Sequence, residues 1–285
     1  MDIRRNNLKR ESKLRTPIMN TKISSLIHKE YSGFTLIELL VVIGIIGVLA
    51  AMLFPALSSA KTRAKVATAR VEMKGIETAI KAYQADYTAW PTSKEARAVD
   101  IDITFGTVGP NGTGVLVNKR KQTLGLVVNT AASSGNAGYQ ANNSEVISIL
   151  LALETFRNGA PTRNNKNRYN PKKINFLDAK SVDNQSSSGV GPDGVFRDPW
   201  GNPYIISIDM NSDNRTRDSF YSLRSVSANG DSLQGANGLA MSRTSGGNFE
   251  LQADVMVWSM GPDGQFSANA PANFGVNKDN ILSWK

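Results

Sequence analysis

The pattern of apolar and polar positions divides the chain into three regimes. From Phe34 to Leu57 the stretch "FTLIELLVVIGIIGVLAAMLFPAL" runs 24 residues with one charge, Glu38. At 1.5 Å per residue such a run makes about 36 Å of helix, enough to cross a bilayer core. The apolar positions then thin to a single stripe. Val66, Ala69, Met73, Ile76, Ile80, Tyr83 and Tyr87 recur at alternating spacings of three and four, with Lys61, Arg63, Lys65, Arg70, Lys74 and Lys81 on the other face. That is the period of an amphipathic helix. Trp90-Pro91 ends it, because a proline pushes the residue before it out of the α region. The pattern predicts one helix from about Phe34 to Ala89, bent at Pro55 and Gly75.

Beyond Pro91 the periodicity breaks up. Residues 106 to 143 are rich in Gly, Asn, Ser and Thr around "GVLVN" and "LGLVVN", and "KRKQT" between them predicts a hairpin with a basic tip. "NSEVISILLALETF", 143 to 156, reads as a short helix capped by Asn143 or Ser144. Residues 157 to 195 are again turn-rich. Strands are predicted at "PYIISID", "FYSLRSVS", "ELQADVMVWSM" and "ILSWK", antiparallel because short turns join them. The two copies of "GPDG" are independent turns. The fold class is α+β, a long N-terminal helix packed on a small antiparallel sheet with a large irregular insertion. The predicted divisions are a leader over 1–33, a transmembrane helix over 34–57, an amphipathic helix over 58–90 and a head over 91–285. Within the head, 92–196 is the insertion and 197–285 the sheet.

Charge and composition narrow the chemistry. The chain carries 33 Lys/Arg against 24 Asp/Glu, a formal +9. Residues 1–33 hold eight of those cations and three of the acids, so the high pI comes mainly from a basic leader, with either Met1 or Met19 as its start. Basic residues before an apolar helix place the N-terminus in the cytoplasm and the rest across the membrane. There is no Cys, and the one histidine, His28, lies in the leader. Disulfides, thiolate metal sites and Cys nucleophiles are excluded, and without the leader so are His-based triads. Any metal would be held by oxygens, which favours Ca²⁺ or Mg²⁺. A tethered enzyme would need paired carboxylates or a Ser–Lys dyad, for which no diagnostic spacing exists, and "GTVGPNGTG" lacks the context of a phosphate loop. No catalytic residue is predicted. "TRNNKNRYNPKK", 162 to 173, has five cations and one aromatic, so it reads as a solvated loop or a contact to acidic neighbours, with no nucleic-acid partner expected.

Glu38 remains the oddity. A signal peptide with a cut near Ser58-x-Ala60, or a plain single-pass anchor, accounts for the apolar run but not for an acid inside it. Surrounding Leu, Ile and Val outweigh the cost of inserting it, yet a membrane carboxylate asks for a partner. Gly33 followed by "FTLIELLVVIGIIGVLAAMLFPAL" resembles the class III signal of type IV prepilins and type II secretion pseudopilins. The resemblance implies cleavage by a prepilin peptidase between Gly33 and Phe34, N-methylation of Phe34, an assembly role for Glu38 and a helix-bending role for Pro55. Cleavage would free an α-amino group, cationic at neutral pH, for a neighbouring subunit's Glu38 to meet.

The C-terminal stretches "RDPWGNPYIISI", "VMVWSMGPDGQF" and "NKDNILSW" resemble the major pseudopilin of type II secretion. That resemblance implies a calcium site with Asp263 and Asp279 as carboxylate ligands. From the residues alone, Asp263-Gly264 reads equally as a hairpin turn. The implied protein is a structural filament subunit in the inner membrane, single-pass with a periplasmic head. Its implied partners are prepilin peptidase, copies of itself, other pseudopilins and the secretion platform. A type IV or minor pilin in adhesion or DNA uptake is the alternative, with the tethered enzyme behind it. Residues 92–196 have no counterpart in that resemblance.

Overall fold

The computed structural model describes residues 33–98, 101–106, 116–117, 123–124, 141–230, 233–242 and 247–285. The leader, with His28 and Met19, and the hairpin tip at 118–122 lie outside them. In chain order the elements are α1 (Leu36–Tyr87), α2 (Lys94–Arg97), β1 (Ile103–Phe105), β2 (Leu116–Val117), β3 (Thr123–Leu124), α3 (Ser144–Leu150), β4 (Gly189–Val190) and β5 (Phe196–Arg197). There follow β6 (Ile205–Ile208), α4 (Arg224–Ser227), β7 (Ala240–Met241), β8 (Phe249–Glu250), β9 (Val255–Ser259) and β10 (Ile281–Leu282). The chain is α+β. It divides into two units, one ending at Leu53 and one running from Phe54 to Lys285.

In the larger unit an antiparallel sheet has the order β1-β6-β9-β10. Its two central strands are apolar on both faces because both faces are covered. Ile206, Ile208, Val255 and Val257 point into one core with Met73, Ile76, Ile80 and Tyr83 of α1. Ile205, Met256 and Trp258 point into a second core with Phe220, Tyr221 and Phe249. This is the two-residue alternation of a strand buried on both sides. The helical stripe read from spacing is the stripe that packs: Ala69, Met73, Ile76, Ile80 and Tyr83 are buried, with Val66 and Tyr87 half-buried at its ends. Lys65 Nζ donates to Pro199 O at 2.9 Å, and Tyr204 Oη donates to Glu72 Oε2 at 2.5 Å, so polar ties flank the apolar seam.

Three expectations change. "FYSLRSVS" is a turn followed by α4, not a strand. Asp218, fully buried, accepts the amides of Phe220 at 2.9 Å and Tyr221 at 2.8 Å, which curls the backbone so that both rings reach Trp258. The 92–196 segment is not all irregular, since its Ile103–Phe105 forms the edge of the main sheet. Three residues are too short a run to stand out as periodic. Finally, Asn143 holds the N-cap position of α3 as expected but makes no side-chain cap bond: it donates to Phe196 O and Tyr204 O, while Asn142 Oδ1 accepts the Ser144 amide at 3.0 Å. Of the predicted hairpin, Leu116–Val117 and Thr123–Leu124 form the antiparallel pair β2–β3, and its other residues lie outside the described ones.

Candidate functional site

The candidate site begins where the helix begins. Gly33, Phe34 and Thr35 are non-helical and exposed, Phe34 to 73%. The bond between Gly33 and Phe34 therefore lies on accessible, non-helical chain. Helical structure starts at Leu36, and the reason is local. Glu38 Oε2 accepts the Thr35 amide at 2.8 Å and the Thr35 hydroxyl at 2.6 Å, while the Glu38 amide donates to Thr35 Oγ1 at 3.3 Å. This is a reciprocal capping box, and it satisfies donors that a helix start leaves open. "TLIE" carries that signature in plain view, so the Thr35 contact was legible from sequence and was missed. Both Thr35 contacts fall on Oε2. Among the described residues Glu38 Oε1 takes no hydrogen bond.

From there α1 is apolar and uncovered. Its most hydrophobic 18-residue window has a mean hydropathy of 2.8 with none of it buried, so it is long and apolar enough to cross a membrane. Leu36, Ile37, Leu40, Ile46, Leu49 and Phe54 are all more than half exposed. Pro55 sits inside the helix, where it lacks an N–H and removes one bond of the ladder.

The second candidate is the C-terminal loop. Asp263 and Asp279 are brought together from opposite sides of it: the Asp263 amide lies 3.3 Å from Asp279 Oδ2. Asp263 Oδ1 also accepts the Gln265 amide at 2.8 Å, so the Asp-Gly turn read from sequence is formed as well. Gly261, at φ +67°, presses against Asp279; a Cβ there would stand 2.2 Å from its carbonyl oxygen. Beside this loop Asn202 Oδ1 is buried and unpartnered, while Asn202 Nδ2 donates to Gly261 O at 3.2 Å. Two carboxylates and an orphaned amide oxygen are hard oxygen donors of the kind that suit Ca²⁺. No group of three or more His, Cys, Asp or Glu able to hold a metal occurs among the described residues. A cation here would depend on amide oxygens, carbonyls and water for its remaining ligands.

Comparison with known proteins bears on the first site. Residues 29–54 match the model of the prokaryotic N-terminal methylation motif. The segment is a prepilin-type methylation motif. The chain is 40% identical over 68 residues to the type II secretion system core protein G of Pseudomonas aeruginosa, 24% of this chain and 48% of that protein. It is 34% identical over 105 residues to the type IV major pilin protein PilE1 of Neisseria gonorrhoeae, 36% of this chain and 54% of that pilin. A fimbrial protein of Moraxella nonliquefaciens is 39% identical over 77 residues, 27% of this chain and 50% of the relative. The chain thus spans about half the length of these curated relatives. No solved structure matches it. These relatives are named as secretion or fimbrial components, and the prepilin motif links the apolar, capped helix start to them.

Proposed function

We propose that the protein is a structural subunit of a pilus-like filament, a pseudopilin of a type II secretion system. One observation carries the reading. A methylation motif lies on an exposed helix start whose apolar first half continues directly into a stripe packed on a sheet. A signal peptide does not need the second half, and an inert anchor does not need the acid. In this account prepilin peptidase cuts between Gly33 and Phe34 and methylates Phe34 on the cytoplasmic side. The chain waits in the inner membrane with its head in the periplasm. It then joins copies of itself and other pseudopilins through α1, on the secretion platform.

The capping box refines the role of Glu38. Before assembly, Thr35 occupies one carboxylate oxygen and the helix start is complete within a single chain. In the filament, the open Oε1 is the place for a neighbour's Phe34 ammonium. Pairing that charge removes the cost of an isolated ion in a low-dielectric bundle and fixes the register between subunits. Glu38→Ala is expected to insert and be processed normally but to yield no filaments. Normal filaments from that variant would contradict the proposed pairing.

Calcium at Asp263 and Asp279 belongs to the same proposal. The ion would tie together the two ends of the loop between β9 and β10, where Gly261 lies against Asp279. Protease resistance of the head should rise with Ca²⁺, and Asp263→Ala should lose the dependence. Resistance that is equal with Ca²⁺ and with chelator would remove the ion from the account. No catalytic role is assigned: the relatives are named as fimbrial and secretion components, and no nucleophile–base pair is part of this reading.

A further inference from the structure

The segment 163–173 is held as a comb. Asn164, Asn167, Tyr169 and Asn170 turn inward and are buried, while Arg163, Lys166, Arg168, Lys172 and Lys173 turn outward and are exposed. The inward side chains lock it. Asn164 Oδ1 accepts the amides of Tyr169 and Asn170 at 3.1 and 3.0 Å, and Asn170 Nδ2 donates to Ile149 O and Ile174 O at 2.9 and 2.7 Å. Lys166, Asn167 and Lys173 take left-handed backbone, at φ 57°, 50° and 55°. Side chains with a Cβ adopt that region only when the surroundings impose it, and such strain gathers at sites that do something. Three of the five cations meet carboxylates: Lys172 reaches Asp86 at 2.7 Å, Arg163 reaches Glu145 at 3.6 Å and Lys173 reaches Glu154 at 4.0 Å. Lys166 and Arg168 have no carboxylate within ion-pair distance among the described residues, although Arg168 acts electrostatically on Glu95 from beyond that distance.

The opposite imbalance lies elsewhere on the same unit. Asp209 accepts the amides of Asp213 and Asn214 at 3.2 and 2.8 Å, which leaves Asp213 exposed at the loop's outer edge. Asp102 approaches through the Arg217 amide, at 2.7 Å, and its Oδ1 is buried without a partner. The nearby cations are engaged: Glu250 binds Arg215 at 2.6 Å and Arg217 at 3.8 Å. Among the described residues, no cation is within ion-pair distance of Asp102, Asp209 or Asp213.

The two patches flank α1. Asp86 marks the basic side through Lys172, and Lys81 marks the acidic side through Asp254 at 3.6 Å, whose carbonyl accepts the Asp209 amide at 2.9 Å. Five residues apart on an α-helix, Lys81 and Asp86 point about 140° apart. Opposite charges on nearly opposite sides of one helix are what a head-to-tail contact needs, and such contacts propagate as open helical arrays. Nucleic acid fits less well. The comb's one aromatic, Tyr169, is buried with Arg97 5.8 Å over its ring, so bases have nothing to stack on.

We infer that the comb of one copy, through Lys166 and Arg168, docks on the acidic loop around Asp213 of the next copy. This rests on the filament reading above and supplies a lateral contact between heads that the apolar helix does not provide. The test uses the full chain, co-expressed with its peptidase and assembly machinery. Lys166→Glu with Arg168→Glu should be processed normally and reduce filament yield about tenfold, as should Asp213→Lys alone, and all three together should restore much of it. Because the chain has no Cys, Lys166→Cys with Asp213→Cys should crosslink filaments into a ladder that neither single variant gives. Charge-reversed chains that assemble at wild-type yield, or assembled filaments that give no ladder, overturn the contact and leave the filament reading intact. A wild-type chain that is processed but never polymerises overturns the filament reading and this inference with it. If reversal spares filaments and abolishes salt-sensitive DNA retention, the comb is a nucleic-acid surface and the inference falls.

Discussion

Thr35 and Glu38 satisfy each other across one helical turn, and that pair changes how the acid in the apolar run is understood. The carboxylate serves the helix start, and the proposed pairing then uses it a second time, for a neighbour. At the same scale, Asp102 is set by its surroundings. Burial pushes its carboxyl up to about 7, against the Arg217 amide that favours the charged form, with Asp209 and Asp213 pushing it higher. A raised carboxyl binds its proton more tightly folded than unfolded, so its contribution to stability is present at low pH and is lost as pH rises toward and through 7. Asp102→Asn should therefore flatten the dependence of Tm on pH between about 4 and 7, and be the more stable chain at the upper end. A wild-type Tm that rises over that interval, with the same slope in the variant, would contradict the assignment.

At the scale of elements, α1 carries the fold. Ile76 is fully buried against the sheet, whereas Val71, on the same helix, is 73% exposed. Ile76→Ala should cost about 2–5 kcal/mol by denaturant unfolding, while Val71→Ala should stay within about 0.5 kcal/mol. Equal effects would mean that the helix does not pack by its stripe. That stripe was legible because helical periodicity is local and α1 is long. The strands β6 and β9 were legible as apolar runs. What escaped reading depends on distant partners. "FYSLRSVS" has strand-like composition, but the buried Asp218 two residues upstream bends it. Ile103–Phe105 becomes a strand only because Ile206 and Ile208 lie beside it. The pairing of Asp263 with Asp279 could be named by resemblance, but spacing alone gave a turn. The inward Asn residues of the comb carried no local signal, although its charges were visible.

At the scale of the molecule, the account makes one chain do two jobs in sequence. An apolar helix with a self-capped start is at home in a bilayer as a single copy. In the proposed filament the same helix, freed of its leader, would offer the second carboxylate oxygen of Glu38 to the new positive end of another copy. The head, built on the second half of α1, then needs only contacts between neighbours to complete a filament surface. Everything in that sequence follows from where the chain is cut. The most direct measurement is intact and N-terminal peptide mass spectrometry of the protein purified from cells with and without an active prepilin peptidase. The account predicts a mature chain beginning at Phe34 and carrying one methyl group, with the leader retained when the peptidase is missing. A chain that keeps its leader in the presence of the peptidase, or one cut after Leu57, would contradict it.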